Sequence, residues 1–138
     1  MVTQSALHSL NIILDSMMAI DGALGAVIVH AESGDCLQEK HVAGQPGAGA
    51  DTLKLMVQIS RMMVETDNLE DIVFTFSDHQ FVARPLEGNA MNGLVLFLIL
   101  ERRFDCDILA PARYQLMHLV FGVSVSASTD PAPSVARK

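Results

Sequence analysis

Basic side chains are scarce in this chain. Nine Lys and Arg face sixteen Asp and Glu, for a formal net charge of −7 across 138 residues. Nucleic-acid binding needs a basic stripe to neutralise phosphates, and adhesion to an anionic membrane needs basic clusters, so neither is expected. Trp is absent and Tyr occurs once, at Tyr114. Long hydrophobic runs are missing too. The longest, Leu94 to Leu100, falls far short of the ~20 residues that cross a bilayer, so no membrane insertion is expected. Met1 to Ser9 lacks the basic start and apolar run of a secretory leader. The only cysteines, Cys36 and Cys106, form no clustered motif. Together these features predict a reduced, cytoplasmic protein with both thiols unpaired, each acting as a small buried hydrophobe.

Fixed-spacing chemistry is equally sparse. His8, His30, His41, His79 and His118 contain no i, i+4 pair and no HExxH, so no metal site is predicted. The glycines at 22, 25 and 44 to 49 match neither GxxxxGK[ST] nor GxGxxG, and GxSxG is missing, so no cofactor is expected. Glu70-Asp71 and the Asp105/Asp107 pair read as strand-end and helix-cap residues rather than an acid/base dyad. Arg84 and Arg102-Arg103 read as solvated strand ends. Taken together, these gaps predict a protein that is not an enzyme.

What is present is hydrophobic patterning. Half of the residues are apolar and eight are Met. Leu7, Leu10, Leu14, Met17 and Met18 recur at helical spacing, with Thr3 or Ser5 as cap and Asp21-Gly22 as stop. Ala26 to Val29 reads as a strand buried on both faces. Glu32 to Asp35 is a turn signal, and Cys36 to Val42 a returning strand. A glycine-rich loop, residues 43–50, leads to a helix over Asp51 to Thr66, with Asp51 as its cap. Ile72, Phe74 and Phe76 alternate with Val73 and Thr75 along a strand. After a turn at Ser77 to His79, Gln80 to Arg84 forms a strand ended by Pro85. Leu94 to Leu100 should lie in the sheet interior. Asp105 or Asp107 caps a last helix, in which Pro111 is tolerable only in the first turn. Its stripe is Leu109, Ala112, Leu116, Leu119, Val120 and Val123. Residues 1–125 are expected to be one domain and residues 126–138 a disordered tail.

This order predicts an α/β (α+β) sandwich. Its five-stranded, mostly antiparallel sheet carries helices 1 and 3 on one face and helix 2 on the other. Helix 2 is the unusual element. Leu53, Leu55, Met56, Val57, Ile59, Met62, Met63 and Val64 sweep roughly 220° of its wheel at 100° per residue. Only Lys54, Gln58, Arg61 and Glu65 make a polar stripe. A surface helix needs an apolar stripe little wider than ~100°. One face can therefore cover the sheet while a second awaits another protein surface.

At this point four stretches resemble the Roadblock/dynein light chain family in its bacterial form, whose members include gliding-motility GTPase regulators. Leu14 to Val29 is similar to the family's first helix, turn and first strand, with Ile20, Gly22, Gly25 and Ala26 matching and Leu24 at a position usually Val-like. Ser33-Gly34 followed by Leu37 resembles its hairpin. Glu70 to Leu86 resembles a strand pair ending at Pro85-Leu86. Leu94 to Arg113 resembles an apolar strand leading into an L-A-x-A-R helix start, here with Pro111 at the variable position. The likeness spans Leu7 to Val123.

The resemblance implies a profilin-like Roadblock sandwich. It further implies a non-catalytic homodimeric scaffold or regulator, with second helices packed together, third strands joining two sheets, and a Ras-like small GTPase or a larger signalling assembly as partner. On that reading the dimer interface comprises Leu55, Met56, Ile59, Met62, Met63, Ile72, Phe74 and Phe76. The alternative is a small-molecule-binding sensory domain of similar architecture, with Phe74, Phe81 and Phe97 lining a pocket between sheet and helices.

Overall fold

The structure, a computed structural model, describes residues 4–44, 49–66, 68–86 and 93–128. The elements run α1 (Gln4–Met18), β1 (Ala23–His30), β2 (Cys36–His41), α2 (Ala50–Glu65), β3 (Ile72–Thr75), β4 (His79–Pro85), β5 (Leu94–Glu101) and α3 (Leu109–Ser128). The five strands form one sheet in the order β2-β1-β5-β4-β3, and every neighbouring pair is antiparallel. β5, the most apolar strand in sequence, sits at the centre as expected, paired with β1 on one side and β4 on the other.

Strand alternation divides the core into two layers. On one face Ala26, Ile28, Val82, Leu94, Leu96, Leu98 and Leu100 meet Leu10, Ile13, Leu14 and Met17 of α1 and Ala112 and Leu116 of α3. On the other, Val27, Val29, Phe81, Ala83, Val95 and Phe97 meet Met56, Ile59 and Met63 of α2. Both β1 and β5 are apolar on consecutive residues because both of their faces are covered. The predicted sandwich, with α1 and α3 opposite α2, is the fold present.

Several local signals resolve differently from the sequence reading. Asp51 does not cap α2. Gly49 stands at the cap position without a side-chain hydrogen bond, and Asp51 falls in the first turn, where its charge complements the helix dipole. Of the two candidates before α3, Asp107 is the cap: its Oδ1 accepts from the backbone N–H of Leu109 at 3.0 Å and of Ala110 at 3.4 Å. Pro111 lies in the first turn as required. Ile13, outside the α1 stripe expected from spacing, is buried. Gly22 takes φ of +90° in the turn between α1 and β1, and a Cβ there would run into Ile108.

Backbone α3 extends to Ser128, three residues into the segment read as tail. The rest of that tail, Thr3, residues 45–48 of the 43–50 loop and the loop at 87–89 lie outside the described residues, as do the side chains of Leu7, Val120 and Val123.

Candidate interaction surface

α2 lies on the sheet through the middle of its apolar arc. Met56, Ile59 and Met63 are buried against β1, β4 and β5, and Ser60 joins them with its hydroxyl donating to the Met56 carbonyl at 2.7 Å. The sequence reading gives these three hydrophobic side chains to a dimer interface. Within one chain the sheet covers them, because the helix turns the centre of its arc, not one end, toward the core. The polar stripe therefore points directly away from the sheet, and the surplus apolar surface forms two margins rather than a back face.

The margins differ in their surroundings. Val57 lies over the β1–β2 turn, where a Cβ added to Gly34 would meet Val57 Cγ1 at 3.5 Å. Arg61 beside it donates through Nε to the Ala31 carbonyl at 3.3 Å. The opposite margin carries Leu55, half-buried, and Met62, 47% exposed.

β3 is the last strand of the sheet and pairs only with β4, in the register Ile72↔Ala83, Val73↔Val82, Phe74↔Phe81, Thr75↔Gln80. The hairpin closes with the Phe76 N–H donating to the His79 carbonyl at 2.8 Å. Antiparallel pairs alternate between hydrogen-bonded and non-hydrogen-bonded. Counting back from Phe76, the backbones of Phe74 and Ile72 bond to β4, whereas those of Val73 and Thr75 point to the free edge. Side chains follow the other alternation: Ile72, Phe74 and Phe76 lie half-exposed on the α2 face, and Val73 packs toward α1 and α3.

The turn end of this hairpin is aromatic and tied down. Phe76 stacks on His79 with centroids 4.7 Å apart, and both lie near Phe81. His79 Nδ1 pairs with Asp78 Oδ1 at 2.6 Å, and this hydrogen bond holds the Asp78 carboxyl below its ordinary range. Arg102 donates from Nη1 to the Phe76 carbonyl at 2.9 Å and lies over the ring of Phe104, which is 79% exposed. Arg103 forks onto Asp21 at 3.0 Å through each of two nitrogens and also pairs with Glu101, so its guanidinium is held protonated more firmly than usual. Both arginines thus brace loops, and neither is the simple solvated strand end expected from sequence.

The remaining candidates for chemistry are dispersed. His41 Nε2 meets Glu39 at 2.8 Å, and His30 Nδ1 accepts from the Ser33 N–H at 3.2 Å. Among the described residues no three His, Cys, Asp or Glu converge in a metal-binding group. Cys36 is half-buried on the α2 side and burial pushes its thiol up, but Cys106 is exposed, contrary to its reading as a buried hydrophobe. Both thiols are free. Phe81 and Phe97, expected to line a pocket on the sensory reading, are buried with Met56, Ile59 and Met63 in one packed layer. No helix among the described residues is long and apolar enough to cross a membrane.

Several solved structures share this fold, and one of them carries the Roadblock name. The chain is similar to MglC from Myxococcus xanthus (TM-score 0.63, 16% identity, covering 84% of this chain and 97% of that one). It also resembles an MglB with tetrameric arrangement (TM-score 0.61, 10% identity, 92% and 95% covered). A Roadblock/LC7 domain from Streptomyces avermitilis superposes with a TM-score of 0.54 at 13% identity, over 80% and 91% of the two chains. At these identities the likeness is one of fold, and the fold is of the bacterial Roadblock type. No family model matches the sequence, and no curated protein matches it.

Proposed function

We propose that this chain is a non-catalytic scaffold or regulator that works as a homodimer, in the service of a Ras-like small GTPase system in the cytoplasm. The observation that carries the reading is the free edge of β3. Val73 and Thr75 present unpaired backbone groups there, flanked by half-exposed Ile72, Phe74 and Phe76, and α2 adds an exposed Met62. An apolar unpaired edge is an aggregation hazard unless something pairs it. A second copy satisfies it with two-fold symmetry: β3 against β3 antiparallel makes one continuous sheet, and the Leu55/Met62 margins close over it. The interface on this reading comprises Leu55, Met62, Ile72, Phe74 and Phe76, with Met56, Ile59 and Met63 supporting it from beneath. The fold likeness to MglB and MglC, one an MglB in a tetrameric arrangement, supports self-association. The GTPase link rests on the family resemblance.

Size-exclusion chromatography with light scattering should give twice the 14.9 kDa chain mass. Met62→Glu and Phe74→Glu should each weaken the dimer, because a charge is then buried at the seam. In the wild type the Val73 and Thr75 amides should be protected from hydrogen exchange at high protein concentration and lose that protection on dilution. A folded monomer at all concentrations, with both amides always exchanging freely, rejects the dimer.

A further inference from the structure

Among the described residues, the root of β3 holds the most enclosed charge cluster. Asp71, immediately before the strand, keeps only 8% of its side chain exposed. Two arginines from different elements close on it. Arg113 of α3 donates Nε and Nη2 to its two carboxylate oxygens at 2.9 and 2.8 Å, a fork that matches the carboxylate. Arg84 of β4 adds Nη1 at 3.4 Å. The pairing with Asp71 raises the pKa of the Arg113 guanidinium, the signature of a group held charged by its partner.

This geometry matters because of what it spans. Arg113 belongs to the helical layer on one face of the sheet, whereas Ile72, Phe74 and Phe76 face the other. β3 is four residues long and pairs on one side only. Its far end is held by the turn to β4 and by Arg102 on the Phe76 carbonyl. Its near end is held by Asp71. Without Arg113 the enclosed carboxylate keeps one long hydrogen bond from Arg84, and a charge so poorly partnered moves toward water. The first residue of β3 moves with it. Arg113 itself is 47% exposed, so the cluster is accessible from outside through that residue.

We propose that the Arg113–Asp71 pair is a latch by which α3 holds the free edge strand β3 in place, making Arg113 a positioning residue for whatever pairs with that edge. The consequence for dimerisation rests on the reading of β3 as the homodimer seam. The latch itself does not, because the β3–β4 ladder exists within one chain.

The test is amide exchange by NMR on the full chain for Arg113→Gln, Asp71→Asn and the double variant, with the dimer dissociation constant measured alongside. In Arg113→Gln the Ile72 and Phe74 amides, which bond to β4, should exchange about tenfold faster or more, while β1 and β5 amides keep their rates, as expected of local opening. The dissociation constant should rise in step. In the Asp71→Asn background Arg113→Gln should add nothing, since both act through one contact. Unchanged Ile72 and Phe74 rates overturn the latch, as does equal acceleration in β1 and β5 or an additive double variant. If β3 loosens while the wild type proves monomeric, the latch stands and the dimer reading falls. If the wild type is a dimer and β3 keeps its exchange rates in Arg113→Gln, the dimer stands and the latch falls.

Discussion

Cys106 lies exposed between Asp105 and Asp107, while Cys36 is half-buried on β2 with its thiol pushed up by burial and by Glu39. Thiolate is the reactive form, so Cys36 is disfavoured by burial both in access and in ionisation, while Cys106 is open to solvent. At neutral pH iodoacetamide should modify Cys106 first, and Cys36 should follow at a comparable rate only after unfolding. Peptide mass mapping over time decides it, and equal rates in the folded protein contradict the placement of Cys36. Asp105 and Asp107 flank Cys106 in sequence, but the residue-type tendency of cysteine toward burial led to the opposite expectation for it. The partners of Asp71 were not visible in sequence, since Arg113 stands 42 positions away and only the fold brings it near. Arg103 and Asp21 are 82 positions apart, which hides their pairing in the same way. Charged residues near strand ends look solvated in sequence because proximity in space carries no local signal.

For elements, periodicity was legible and phase was not. The wheel of α2 correctly showed an arc too wide for one stripe. It could not show that the sheet takes the middle of that arc, because any part of an apolar arc suits a core equally well. Adjacent methionines therefore have opposite fates: Met63 is buried and Met62 is 47% exposed. Met63→Ala should cost about 2–5 kcal/mol, the range for emptying a core site of that size. Met62→Ala should stay within about 0.5 kcal/mol, as surface changes do. Urea unfolding at a dilution that keeps the chain monomeric measures both, and similar losses for the two would mean that the helix is rotated from its position here. The strands fared better because burial on two faces leaves an unbroken apolar run, as in β1 and β5. Helix ends were ambiguous wherever two acidic residues could each serve as the cap.

Across the whole molecule, the sheet order places β5 between β1 and β4, so it alone joins the β1–β2 and β3–β4 hairpins. Isolated two-stranded hairpins are marginal in water. A fragment of residues 1–93 should therefore show no cooperative thermal transition by circular dichroism, although it contains four of the five strands. A sharp transition in that fragment would show that α1 and α2 can organise the hairpins without their central neighbour.

The same order sets a clock on synthesis. Residues emerge at about 5–20 per second, so the first hairpin waits on the order of seconds for the strand that completes it. The β3–β4 hairpin, with its three phenylalanines at 74, 76 and 81, waits a shorter time but lacks its inner neighbour as well as its outer one. Until Glu101 has been added, the surplus of acidic side chains supplies the repulsion that keeps nascent copies apart.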